Sequence, residues 1–125
     1  MGMDSDSLRS WLDGYRRAWE LKDPETAGAL FTEDAVYQES PYDKPMRGRA
    51  AIVEYWSHVP RTQDNVHFNY EIIAVTDKVA VAHWAASFTR VSSNTKVKLD
   101  GIFLLNFNES NCCKSLSEWW VRQES

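Results

Sequence analysis

Leu30-Phe31-Thr32-Glu33-Asp34-Ala35-Val36-Tyr37-Gln38-Glu39 joins a helix to a strand and closes on a carboxylate two residues after an aromatic. Side chains alternate across a strand, so Tyr37 and Glu39 share one face. If that face is the inner one, an acid stands among aromatics and burial raises its pKa. Glu39 is therefore a candidate base, and its bland alternative is a solvated strand end, because Ser40-Pro41 already begins a loop. Asp34 reads as a short acid that fixes the turn by bonding nearby backbone N–H groups, without a catalytic role.

Upstream of this junction, Leu8, Trp11, Leu12, Tyr15, Ala18 and Trp19 recur at helical spacing, with Arg9, Asp13, Arg16, Arg17 and Glu20 on the other side. That pattern predicts an amphipathic helix with an aromatic buried stripe. Asp23-Pro24-Glu25 supplies a capping acid, a first-turn proline and a helix-favouring acid, which starts a short second helix running through Leu30-Phe31. A first strand over Ala35 to Glu39 follows.

Downstream, the prolines of Ser40-Pro41-Tyr42-Asp43-Lys44-Pro45 interrupt regular structure. Arg49 to Val59 then predicts a third helix with Ile52, Tyr55, Trp56 and Val59 on one side, ended by Pro60. Val66 to Val75, Val79 to Val91, Lys96 to Asn108 and Lys114 to Gln123 read as a four-stranded meander separated by turn-prone segments. Three helices beside a mainly antiparallel sheet make an α+β fold. On the strand from Lys96, Val97, Leu99, Gly101, Phe103 and Leu105 form the covered side. The other face passes from Lys96, Lys98 and Asp100 to Ile102 and Leu104, an apolar end that needs its own cover. A second copy of the chain is the simplest one, so a homodimer through the outer sheet face is expected.

Composition removes most other classes. The chain has 125 residues, 43% of them apolar, which fits one domain over residues 1–125 that buries roughly two-thirds of its unfolded surface. Its 14 basic and 18 acidic residues leave a net charge of −4, with no basic stripe to follow a phosphate backbone, so nucleic acid is not an expected partner. The opening Met1-Gly2-Met3-Asp4-Ser5-Asp6-Ser7 lacks the basic and apolar regions of a secretion signal and misses the myristoylation pattern at Asp6. No apolar run approaches the roughly 20 residues that span a bilayer, and a soluble, cytoplasmic protein without a membrane partner is expected. Cys112 and Cys113 are adjacent and read as free thiols. His58, His67 and His83 lie apart, so no metal site is expected.

Five phrases resemble the nuclear transport factor 2-like superfamily, and within it the SnoaL-like bacterial domains. They are Tyr15-Arg16-Arg17-Ala18-Trp19, Ala29-Leu30-Phe31-Thr32-Glu33-Asp34-Ala35, Arg47-Gly48-Arg49-Ala50-Ala51-Ile52, Leu99-Asp100-Gly101-Ile102-Phe103 and Glu118-Trp119-Trp120. The resemblance implies a cystatin-like, cone-shaped α+β barrel in which a curved sheet wraps a long helix and leaves a pocket at the open end. It does not fix an activity, because the superfamily holds isomerases, cyclases, hydrolases and proteins without catalysis. Laid against its ketosteroid isomerases, Tyr15 falls on the oxyanion-binding tyrosine and Glu39 on the proton-shuttling acid. Phe103 falls where that branch carries a second donor, and a phenyl ring donates nothing.

The same register turns Leu116, Glu118 and Trp120 toward the pocket, so Glu118 is a second candidate acid facing Glu39. Two nearby carboxylates push one pKa upward and divide into acid and base. Asp100 is a weaker candidate. Strict alternation turns it outward unless Gly101 marks a bulge that reverses the register. Tyr15 is either the hydrogen-bond donor of a site or a core aromatic satisfied locally. Trp19, Tyr37, Trp56, Trp84, Phe88, Phe103 and Trp120 are candidate contacts for a small apolar or aromatic molecule, with core packing as their alternative. Arg47 and Arg49 are surface charges of a helix start or partners of a pocket acid. Two functions remain open. One is acid–base catalysis of the isomerase, cyclase or hydrolase kind by Glu39, Glu118 and Tyr15, without metal or organic cofactor. The other is a homodimeric module that binds its ligand unchanged.

Overall fold

A computed structural model of the chain describes residues 2–125. Helix α1 (Ser5–Glu20) begins where the Asp4 carboxylate accepts the Ser7 backbone N–H at 2.8 Å, and it buries Leu8, Trp11, Leu12, Tyr15, Ala18 and Trp19. Helix α2 (Pro24–Ala29) is capped by Asp23, which accepts both the backbone N–H and the hydroxyl of Thr26.

Strand β1 (Phe31–Gln38) starts four residues before the expected Ala35 and takes Phe31 out of the second helix. Long-range donors decide this. The Trp11 indole N–H reaches the Leu30 carbonyl at 2.9 Å, Cys113 N–H reaches the same oxygen at 2.8 Å, and Arg49 binds the Phe31 carbonyl at 2.7 Å. A two-residue strand β2 (Met46–Arg47), unseen in the sequence, pairs with Val36 and Tyr37 and leads into α3 (Arg49–His58). Pro60 does not end the helical run outright, since it opens a 3-10 turn over Val59–Thr62. The meander is β3 (Gln63–Val75), β4 (Val79–Arg90), β5 (Thr95–Phe107) and β6 (Cys113–Glu124). β3 starts three residues earlier than expected, across a register shift at Asn65, whose φ of 56° is left-handed.

The six strands lie in the order β2-β1-β6-β5-β4-β3, antiparallel except for the β1–β6 pair. The fold is thus α+β with a mainly antiparallel sheet. Along β4 the inward residues are Ala80, Ala82, Trp84, Ala86 and Phe88, and the three alanines leave space for the aromatic stripe of α1. Tyr15 sits at the centre of that packing, its ring 5.2 Å from both Trp56 and Phe103 and 5.3 Å from Phe68. Such edge and tilted contacts each add a little beyond area burial. Cys112 and Cys113 are free thiols. No helix among the described residues is long and apolar enough to cross a membrane.

Candidate functional site

The inner face of the sheet and the ends of three helical segments leave one cavity of about 250 Å³ beside Tyr15. Helix α1 supplies Tyr15 and Trp19, four residues apart and so on one face. Tyr37 is the last but one residue of β1, and Glu39 follows directly after the strand. Tyr55 and Trp56 come from α3, Trp84 and Phe88 from β4, and Glu118, Trp120 and Arg122 from alternate positions of β6.

Two carboxyls meet in this space. The Glu39 backbone carbonyl accepts the Trp120 indole N–H at 2.8 Å, which anchors a residue that the strand itself no longer holds. The Gln38 amide donates to the carbonyls of Ser40 and Asp43 and folds the following loop beside it. Partial burial raises the Glu39 pKa and the charge of Asp43 adds to this, while a hydrogen bond from Tyr55 opposes it. Glu118 is only 5% exposed. Burial holds its carboxyl well above the usual range, the negative charge of Glu39 raises it further, and a hydrogen bond from Tyr37 opposes both. Both carboxyls are pushed up, Glu118 the further, so Glu39 is the one that ionises first.

The phenols connect these acids. Tyr15 and Tyr37 share a hydrogen bond of 2.7 Å between hydroxyl oxygens, and Tyr37 also meets Glu118. Burial raises the pKa of Tyr15, Tyr37 and Tyr55, so all three remain protonated donors. At the wall, Trp19 donates its indole N–H to the buried Gln63 amide oxygen at 2.7 Å. The indole N–H groups of Trp56 and Trp84 have no acceptor among the described residues.

Of the residues named from sequence, Glu39, Tyr15, Glu118, Trp19, Tyr37, Trp56, Trp84, Phe88 and Trp120 all line this cavity. Two do not. Phe103 is fully buried behind the lining, stacked on Trp84 at 5.3 Å, so it backs the wall and does not face a ligand. Asp100 lies on the opposite face, where its carboxylate meets His83 Nε2 at 2.9 Å. The register reversal at Gly101 does not occur, because pairing runs unbroken from Val97–Glu124 to Asn106–Ser115. Gly101 answers a different need. A Cβ there would stand 2.6 Å from the Trp119 carbonyl oxygen and 2.8 Å from Trp120 Cβ. Arg49 is a structural donor to Phe31, and Arg47 is exposed.

Tyr55, Gln63, Arg90 and Arg122 also line the cavity and were not singled out as site residues. Tyr55 was placed on the buried side of the third helix beside Trp56, which was its signal. Extending the alternation Glu118, Trp120 by one step would have found Arg122. Among the described residues no three His, Cys, Asp or Glu side chains are arranged to hold a metal ion.

The SnoaL-like domain family model matches residues 12–112. No curated protein matches the chain by sequence. Among solved structures, the chain resembles SalBIII, an epoxide hydrolase/cyclase-like enzyme described in pyran ring formation in the polyether salinomycin. That match has a TM-score of 0.81 and 21% identity over 94% of this chain and 93% of that one. It also resembles a Delta 5-3-ketosteroid isomerase from Mycobacterium sp., with a TM-score of 0.80 and 14% identity over 95% and 98% of the two chains. A computationally designed 17-OHP binder shares the fold at a TM-score of 0.78 and 13% identity, over 92% and 95%. The chain belongs to the SnoaL-like domain family, and its fold is that of the ketosteroid isomerase-like cone.

Proposed function

We propose that this SnoaL-like protein is an acid–base catalyst of the isomerase, cyclase or hydrolase kind, acting on a small apolar molecule held in the aromatic cavity. One observation carries the reading: Glu39 and Glu118 converge on a single cavity with their pKa values raised to different extents, beside a pair of bonded phenols. Pairs of titratable groups pushed apart in this way divide into base and acid. Glu39, the ionised member, is the base that takes a proton from a carbon beside a carbonyl, or from an attacking hydroxyl or water. Glu118, the neutral member, acts through the phenols. With Glu118 neutral, its O–H can donate a hydrogen bond to Tyr37 in place of accepting one from it; Tyr37 then donates to Tyr15, and the hydroxyl of Tyr15 is left free to donate to the substrate oxygen where negative charge develops.

Mass spectrometry of any ligand that copurifies with the protein, followed by its conversion with Glu39→Gln and Tyr15→Phe, tests this assignment. Both substitutions should suppress conversion by roughly 100-fold or more, the scale of general acid–base and oxyanion contributions. Conversion that survives both would remove the site.

A second reading, binding without chemistry, is favoured by Phe103. It stands where the resemblance to ketosteroid isomerases would place a second donor, and it offers none. In either case we place the protein in the cytoplasm as a homodimer through the outer sheet face, where Trp119, Val121 and Ile73 are 49%, 71% and 55% exposed beside Ile102 and Leu104. Sedimentation of the wild type as a monomer at micromolar concentration would exclude that interface.

A further inference from the structure

The rim of the cavity carries charges that the acid–base reading does not use. Arg90 and Arg122 both line it, and Glu124, just outside the lining, pairs with both. One Glu124 oxygen accepts from Arg90 Nη1 at 2.9 Å and the other from Arg122 Nε at 2.9 Å. The three side chains are 33%, 49% and 35% exposed, so these ion pairs are of the weak, solvent-screened kind that another carboxylate can displace.

Their place on the sheet is set by register. β4 and β6 both run antiparallel to β5, hence parallel to each other, and Trp84 and Trp120 flank Gly101 on either side. Along β4 the inward positions continue from Trp84 through Ala86 and Phe88 to Arg90, and along β6 from Glu118 through Trp120 and Arg122 to Glu124, which lies level with Phe88 and so between the two arginines. Both strands thus lead from the catalytic end, across an aromatic, to an arginine. The Arg122 guanidinium stands 6.0 Å from the Trp120 ring centroid, which steadies it at the mouth. Glu118 and Arg122 are four residues apart on one face, about 13 Å of strand.

We propose that the substrate is an elongated, flat, apolar molecule bearing a carboxylate, and that Arg90 and Arg122 hold this group at the rim in the place Glu124 occupies. The inference rests on the cavity being a small-molecule site and adds the substrate class. A guanidinium pair suits a carboxylate because planar N–H donors match its two oxygens. The acids at the other end exclude the reverse orientation, since a carboxylate beside the ionised Glu39 would be repelled.

Two probes of the same shape separate this from simple apolar binding: biphenyl-4-carboxylate and its neutral twin biphenyl-4-carboxamide, titrated calorimetrically into the full chain at pH 7.5 and low salt. The carboxylate should bind about 10-fold more tightly than the amide, a ratio that falls as salt screens the contact. In the Arg90→Gln/Arg122→Gln variant the ratio should collapse to near one with the amide affinity unchanged, which also shows the variant to be folded. Glu124→Gln, which removes the competing carboxylate, should raise the ratio several-fold. Equal affinity for the twins in the wild type, or a preference that persists in the double variant, would overturn the assignment while leaving the acid–base reading intact. Failure of both twins to bind would remove the cavity as a small-molecule site and the anion rim with it.

Discussion

The hydroxyl oxygens of Tyr15 and Tyr37 stand 2.7 Å apart inside the core, and Tyr37 in turn meets the buried carboxyl of Glu118. A helix residue and a strand residue thereby join a buried acid of the cavity wall to the hydroxyl of Tyr15. Tyr37→Phe should break that connection and leave the Tyr15 hydroxyl without its partner, at a cost of about 1–3 kcal/mol. Tyr15→Phe alone should cost a similar amount. Because the two share one bond, the double variant should lose clearly less than the sum, which a denaturant double-mutant cycle measures. Strict additivity would mean that the phenols act independently.

Glu118 should make stability fall as pH rises. Its folded pKa lies well above the ordinary value of 4.5, so the folded state keeps a proton that the unfolded state releases. Its full contribution is present below about pH 4.5 and is lost progressively on the way up to the folded pKa, at no more than about 1.4 kcal/mol per pH unit. Glu39 adds to the loss in the same direction. The capping acids Asp4 and Asp23 have lowered pKa values, so their contribution is present above 3.8 and is lost only in more acidic solution. Glu118→Gln should therefore flatten the urea-unfolding free energy between pH 5 and pH 8 relative to the wild type. An unchanged slope would mean that Glu118 titrates as an ordinary surface acid.

Gly101 sets how closely β5 and β6 approach at Trp120, because an added Cβ would meet the Trp119 carbonyl and Trp120 Cβ at 2.6 and 2.8 Å. Gly101→Ala should cost about 1–3 kcal/mol, the usual range for overpacking, and should shift Trp120 and with it the Glu39 carbonyl it holds. Denaturant titration and the tryptophan fluorescence of the folded state report both effects.

On the outer face, His83 is held between Asp100 at 2.9 Å and Glu71 at 3.1 Å, and the hydrogen bond to Asp100 is the main cause that raises its pKa. Asp100→Asn should lower the His83 pKa toward 6.5 in an NMR titration and leave ligand conversion in the cavity unchanged. A loss of conversion comparable with that of Glu39→Gln would return Asp100 to the site.

The sequence carried most of the fold because its signals are local. The stripe from Leu8 to Trp19 and the alternation from Val97 to Leu105 each specify which face is buried, without reference to distant partners. The start of β1 at Phe31 depends on Trp11, Arg49 and Cys113, and β2 exists only through its pairing with Val36 and Tyr37, so neither could be read from its own residues. The candidate site was legible where alternation reached it, at Glu118 and Trp120. Phe103 was misplaced because inward-facing and cavity-lining are different properties, and Tyr15 with Trp84 stands between that ring and the open space. Gln63 was lost because Pro60 marked a break, whereas the chain passes through a 3-10 turn directly into β3.

The division of labour between the two carboxyls is open to direct measurement by 13C NMR titration of the glutamate side chains in the wild type and in Glu39→Gln. Glu39 should titrate first and above 4.5, Glu118 well above it, and removal of the Glu39 charge should lower the Glu118 pKa. Two carboxyls titrating together near 4.5, or a Glu118 pKa indifferent to Glu39→Gln, would contradict an acid and a base set apart within one cavity.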